Sequence, residues 1–403
     1  MAIYGKDFVI LYIMKLRYII TSLITLVLVG CGGHDGPEQP AGVSRTVLVY
    51  MAAANSLGDG SYSSRRWDIE DIREMTSAVQ AGALDEGGRL LVYHAGSGMV
   101  PELKEITRDG VVTLRRYEGE GSPVSVAVMR GVLDDMRTVA SADEYGLVLW
   151  SHASGWMIDN GKSPEGRSWG VDESEGKGSK AKEMAIPDLA RALDDQHLLF
   201  IYFDCCFMGN IESLYEVKDA ARYVVASPTE TPLAGMPYEE NVPCFFSKVP
   251  DLRQVAKNTF DYYDAKSGSD RSIAISLYDM SKIDAVAAAY KNVLAVNKVP
   301  ADGYSQQQYG YGRTYGNRFY DFAHYVKSLT DDSSLLGSFD RAMSDFVLYT
   351  DNTPSMWGGE INLIHCNGVS SYIITGTDDY VASTKGYYDL RWWNDVVSPA
   401  FGN

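Results

Sequence analysis

Cysteine is scarce in this 403-residue sequence, with 5 residues, and two of them are the neighbours Cys205 and Cys206. That spacing argues against a dense disulfide framework, which a chain of this size does not need. Glycine and proline show no period, internal repeats are absent, and no long stretch lacks apolar residues, so collagenous, coiled-coil and broadly disordered classes are excluded. Clusters of Lys and Arg interleaved with aromatics are also missing. The net charge is −17; Lys6, Lys15, Arg17 and Asp7 in the first 30 residues contribute +2, which leaves −19 for the remainder. Such an acidic surface repels phosphate backbones and attracts cationic peptides, so nucleic acid is not an expected partner.

Long hydrophobic runs are equally rare. Tyr18–Val29 is almost wholly apolar and follows Met14, Lys15 and Arg17, which is the layout of a secretory signal peptide and too short for a comfortable membrane span. It ends in Leu28-Val29-Gly30-Cys31, similar to a bacterial lipobox, so residues 1–30 are expected to be a lipoprotein leader and Cys31 the lipidated residue. Residues 31–44, with Pro37 and Pro40, then read as a flexible tether. The expected location is the cell envelope, lipid-anchored, at the outer membrane or cell surface. With Cys31 lipidated, Cys205, Cys206, Cys244 and Cys366 would allow three fully paired disulfide arrangements, among which the sequence does not choose.

From residue 45 strands alternate with helices. Apolar runs at Thr46–Tyr50, Leu90–His94, Tyr145–Trp150, Leu198–Phe203 and Tyr223–Ala226 read as strands, and Val111–Tyr117 as a hairpin or edge strand. Arg65–Ala78, Val124–Val139, Ile186–Leu193 and Ile211–Ala221 read as helices. This alternation predicts an α/β fold with a mostly parallel sheet covered on both faces, whose site lies at the carboxyl ends of strands. The stretch 160–179 reads as an exposed Gly-rich loop. Residues 45–250 are assigned to this domain. Residues 251–403, with helices at Leu252–Tyr262, Ile283–Val296 and Asp321–Leu329 and strands at Ile273–Leu277 and Ser370–Ile374, are assigned to an α+β region packed on it.

Two strand ends carry the chemistry. After Leu147-Val148-Leu149-Trp150 comes Ser151-His152-Ala153-Ser154-Gly155-Trp156; after Leu198–Phe203 comes Asp204-Cys205-Cys206-Phe207-Met208-Gly209. A thiol between a strand and a helix gains from the helix N-terminus, and a nearby imidazole can hold its proton. Strand alternation puts Asp204 and Cys206 on one face and Cys205 in the opposite layer, where it reads as a small core residue. Asp204 works against thiol activation, so it reads either as a carboxylate that binds an Arg or Lys side chain or as a helix N-cap. His94 also ends a strand and is the rival imidazole, but it lacks the Gly-Trp context.

The two segments together resemble the clostripain family of cysteine peptidases, whose pattern of Ser-His-Gly-x-Gly-Trp is similar to Ser151–Trp156 and whose Asp-Ala-Cys-Leu-Met-Gly, with a following Glu, is similar to Asp204–Gly209 and Glu212. Ser227, Pro232, Gly235 and Tyr238, Tyr50-Met51-Ala52-Ala53 and Gly368-Val369-Ser370 extend the likeness. The resemblance implies a caspase-like three-layer sandwich. It also implies an endopeptidase with Cys206 as nucleophile, His152 as general acid/base, the backbone N–H groups of Ala153 and Cys206 as oxyanion donors, Ser227 in the substrate cleft, and Asp204 selecting Arg or Lys. Ala153 stands where the family usually has Gly. Substrates would be proteins or peptides with Arg or Lys, and self-cleavage is expected between the two catalytic residues, at Arg167, Lys177, Lys180 or Lys182. The competing reading is a catalytically inactive, peptide-binding lipoprotein of the same fold. No cofactor is expected to be required. Some relatives use calcium, but Asp194-Asp195 and Asp331-Asp332 lack the alternating oxygens of a dedicated loop, and no other metal is expected.

Overall fold

The chain organises around one mixed sheet. In the computed structural model, residues 44–158, 168–299, 306–309, 319–374 and 379–402 are described. Cys31, the leader, nearly all of the tether and Arg167 lie outside them. The strands are β1 (Arg45–Ala53), β2 (Gly88–Gly96), β3 (Glu102–Thr107), β4 (Gly110–Arg116), β5 (Glu144–Trp150), β6 (Trp169–Asp172), β7 (Lys182–Met184), β8 (Leu198–Asp204), β9 (Ala221–Ala226), β10 (Ala274–Asp279), β11 (Tyr320–Asp321) and β12 (Val347–Asn352), followed by the two-residue strands Ser355–Met356, Ile361–Asn362 and Ser370–Ser371. Nine of them form a sheet in the order β12-β10-β9-β8-β5-β1-β2-β3-β4. The centre, β9-β8-β5-β1-β2, is parallel, and the two margins are antiparallel. The last two strands at one margin come from beyond residue 250, so the sheet crosses the boundary expected there.

Alternation along each central strand feeds two cores. Leu48, Tyr50 and Ala52 of β1 join the cluster on one face; Val47, Val49, Met51 and Ala53 join the other. A strand buried on both faces must be apolar throughout, which is why these runs are legible. On the first face lie α2 (Val126–Val139), α3 (Ile186–Leu193), α4 (Ile211–Glu216) and α7 (Ile283–Leu294); on the second lie α1 (Trp67–Gln80), α5 (Tyr238–Phe246) and α6 (Leu252–Asp264). The helix α2 shows why these segments coil: Ser125 caps the N–H of Val128, and Val128, Met129, Val132, Leu133 and Met136 form one buried stripe. This is the expected three-layer α/β sandwich.

Two local expectations are corrected, and one helix had no sequence expectation. Trp169-Gly170-Val171 lies in the stretch read as an exposed loop, yet β6 is buried throughout and pairs with β7; the run is too short for its period to show. The segment 238–246 is helical despite Pro243, which interrupts a helical pattern and hid it. The helix expected over Ile211–Ala221 stops at Glu216, and Ala221 already belongs to β9.

The order of the strands creates a switch point. From β1 the chain crosses through α1 on one face to β2, whereas β5 proceeds through α3 on the other face to β8. A crevice therefore opens beyond the carboxyl ends of β1 and β5, where open α/β sheets bind ligands.

Candidate active site

Strand β5 pairs in parallel with β8, with Trp150 opposite Asp204. His152 and Cys206 each follow two residues later, just beyond the ends of these neighbouring strands, whose axes lie about 5 Å apart. The turn after β5 is held by a bridge between Ala153 and Trp169, in which Gly170 N–H donates to His152 C=O and Ser154 N–H to Ser168 C=O. Those bonds leave the Ala153 N–H out of the bridge. The His152 ring is half-buried, and its Nε2 lies 2.9 Å from Ser56 Oγ, on the loop after β1.

Beyond β8 the strand ends at Asp204. Cys205 turns into the first core with 4% exposure, as alternation requires, while Cys206 is only partly buried. Phe207 has φ +59°, in the left-handed region, so the chain reverses sharply directly after the thiol. Asn210 fixes that reversal by donating to Phe207 C=O and capping Ser213 N–H; it, not Asp204, is the N-cap of α4. Cys206 Sγ rests between the N–H of Thr231 at 3.3 Å and its C=O at 3.7 Å. Burial pushes this thiol up to about 12, with the carboxylate of Glu230 adding to the rise. Glu230 is itself steered by Trp357, whose indole N–H donates to it at 2.6 Å. The described state is a thiol at rest, covered by the segment after Ser227.

Asp204 points into the second layer. Its carboxyl accepts from Met236 N–H at 3.1 Å and Tyr238 O–H at 3.0 Å, is 5% exposed, and is pushed up to about 7 by burial, which outweighs those two donors. Both donors are neutral. Gly235 packs directly on it; with φ +60° it is the residue a left-handed turn favours, and a Cβ there would sit 2.8 Å from each carboxylate oxygen. Behind lies Asp71, also buried, accepting from Trp150 indole N–H at 2.6 Å.

Other residues singled out in the sequence are placed as follows. Ser227 is buried, and its hydroxyl is engaged by Thr229, so it shapes the turn beside Cys206. Glu212 is buried and accepts from Tyr372 N–H at 2.8 Å and Ser371 hydroxyl at 3.1 Å, tying α4 to the Gly368–Ser371 segment. Trp156 packs against Tyr372 and Tyr387. His94 is 1% exposed and bonded through Nε2 to Asp68 at 2.8 Å, with Lys104 Nζ 3.2 Å from its Nδ1. Lys177, Lys180 and Lys182 are exposed on the segment between His152 and Cys206. Cys205, Cys206, Cys244 and Cys366 are free thiols. Asp332 caps a helix N-terminus, and among the described residues no cluster of His, Cys, Asp or Glu is arranged to hold a metal. Sequence reasoning missed Ser56, Glu230 and Thr231, whose roles come only from loops folding back over the strand ends.

No curated protein matches the chain. Solved structures do. A secreted C11 cysteine protease from Bacteroides thetaiotaomicron, in complex with an irreversible peptide inhibitor, is 28% identical, with a TM-score of 0.73 over 89% of this chain and 99% of that one. An inactive zymogen C11 protease from Parabacteroides distasonis is 27% identical, with the same TM-score and the same coverage. A second secreted C11 protease from B. thetaiotaomicron, iotapain, shares the fold at 22% identity and a TM-score of 0.75, over 88% of this chain and 100% of that one. The clostripain signature matches residues 49–346. Family signature, fold and the paired strand ends agree: the chain belongs to the clostripain family of cysteine peptidases.

Proposed function

We propose that this protein is a lipid-anchored endopeptidase that cleaves after Arg or Lys, with Cys206 as nucleophile and His152 as its proton partner. The observation that supports the reading is the register of β5 on β8, in which Trp150, two residues before His152, lies opposite Asp204, two residues before Cys206. In the reaction His152 takes the Cys206 proton, the thiolate attacks the scissile carbonyl, and the N–H groups of Ala153 and Cys206 face the oxyanion; His152 then returns the proton to the leaving amine, and water releases the acyl group. For this the thiol must leave its contacts with Thr231.

Asp204 is the specificity carboxylate in this proposal. It is buried with neutral donors only, so a cationic side chain would supply the missing countercharge. Self-cleavage would fall at Arg167, Lys177, Lys180 or Lys182, and the zymogen form of a relative supports such a step. The leader and Cys31 support an anchor at the bacterial envelope. Labelling tests the core of the reading: incubate the protein with a lysyl or arginyl chloromethylketone and map the adduct by mass spectrometry. An adduct on Cys206 is expected; no adduct, or one elsewhere, favours the inactive peptide-binding alternative. Self-cleavage is checked by comparing wild type and Cys206→Ala on gels with N-terminal sequencing, and fragments common to both would refute it.

A further inference from the structure

We infer that Ser56 is the positioning residue that orients His152, and that it does so by accepting a hydrogen bond from Nε2–H so that Nδ1 is turned to the thiol. The inference rests on the reading of Cys206 and His152 as the reacting pair.

Ser56 Oγ lies 2.9 Å from His152 Nε2. The contact fits either direction; in the arrangement inferred, Nε2–H donates to the hydroxyl oxygen, and the neutral ring then carries its lone pair on Nδ1. That is the nitrogen able to accept the Cys206 proton: the S–H bond breaks, sulfur keeps the pair, and Nδ1–H forms. Nothing moves to Ser56. Its oxygen accepts from Nε2–H before and after the transfer, and more strongly once the ring is charged.

The rest of the molecule holds Ser56 at this spot. On one side of it Asn55 is 1% exposed, and its amide donates to Ala52 C=O at 2.8 Å and Val171 C=O at 3.0 Å. The Asn55 side-chain oxygen accepts the Leu57 N–H at 3.0 Å. On the other side of the crevice Ser151, the residue before His152, donates to the same Ala52 C=O at 2.8 Å and accepts from Val171 N–H at 3.1 Å. The neighbours of both partners are therefore pinned to one junction. Gly58 completes the turn: a Cβ there would come within 2.0 Å of Ala53 O, so the loop can fold back this closely only with glycine. A loop meant only to join β1 to α1 has no need to be fixed against the residue before His152.

The test is kinetic. Ser56→Ala should lower kcat about tenfold with KM unchanged, since a charge-assisted hydrogen bond is lost only when the ring charges. It should also move the acid limb of the pH profile to lower pH, because the imidazolium loses its acceptor and the ring takes up a competing proton less readily; the thiol of Cys206 is unchanged in both proteins. Ser56→Thr, which keeps the hydroxyl, should restore both readings. Thermal melting establishes that the variants fold, and Ser56→Gly gives the same readings should the Ala variant not fold. A fall in kcat with an unmoved acid limb, or no change in either, overturns the inference. Cys206→Ala and His152→Ala are measured alongside: activity in either would overturn the underlying pair, whereas inactive dyad variants with an unaffected Ser56→Ala protein would overturn the role of Ser56 alone.

Discussion

Asp68, at the start of α1 beside the end of β2, and Asp204, at the end of β8, are both buried carboxyls, but the groups around them differ in charge. Burial alone would raise Asp68; bonds from His94 and the Arg66 guanidinium outweigh it and hold the carboxyl below its usual range. Asp204 meets only a backbone amide and a phenol, and burial pushes it up to about 7. The first carboxyl is part of a closed pair, and its partner His94 is sealed with it. The second lies next to a half-buried thiol and imidazole without a cation of its own. Two similar strand ends thus separate into a closed charge pair and a carboxyl without a cation, according to which charges their neighbours supply.

The largest expected effect would break this contrast at the reacting groups. Cys206→Ala should abolish hydrolysis of an Arg or Lys peptide amide, while Cys205→Ala retains it, and His152→Ala should lose about 10²–10⁴ in kcat/KM. At the other strand end His94→Ala should leave kcat/KM unchanged; if it instead matches His152→Ala, the two ends have been assigned the wrong way round.

Next comes specificity. Asp204→Asn should reduce the preference for a basic over a neutral residue by about 2–5 kcal/mol, the range for losing one partner of a desolvated charge pair, as measured by competing peptides. Asp68→Asn should not touch it. A retained preference in Asp204→Asn would move the pocket charge to another residue, with Glu230 the nearest candidate.

Stability should show the reverse order. His94→Ala leaves Asp68 short of a buried donor and should cost about 3 kcal/mol in urea denaturation, although the sequence reads His94 only as the rival imidazole. Asp204→Asn keeps neutral donors around a neutral group and should be nearly silent at neutral pH, or stabilising.

The smallest effect is the sign of the pH dependence. For Asp68 the folded value is depressed, so its contribution is present above the unfolded value of about 3.9 and fades as pH falls through the folded one. For Asp204 the folded value is raised, so the fold retains a proton that the unfolded chain releases, and stability declines as pH rises from about 3.9 through about 7. Preference for basic substrates should rise over the same interval as the carboxyl ionises. Chemical denaturation across this pH range, comparing Asp68→Asn and Asp204→Asn with wild type, should give slopes altered in opposite directions.

Much of this was legible in the sequence for a physical reason. The central strands are apolar throughout because both faces are covered, so their positions, and the His and Cys at two of their ends, stand out. The margins were harder to read: β3 is Glu-Leu-Lys-Glu-Ile-Thr, half solvated, with a charge pattern that hides it. Alternation correctly sent Cys205 into the core, but it could not place Cys206, because β8 stops at Asp204 and the next residues turn.

By itself, then, the sequence determined which segments would be central strands and which two strand ends would carry a thiol and an imidazole, since these follow from local composition and spacing; the motifs at those ends carried the resemblance to the family. Only the tertiary structure decided that β5 would lie against β8 in the register that aligns them, that Ser56 would meet His152 from a loop 96 residues away, and that Thr231 and Glu230 would close over the thiol. It also decided that one buried aspartate would find an arginine and a histidine while the other found none. Those choices depend on contacts between residues far apart in the chain, whose charge and burial no local window contains.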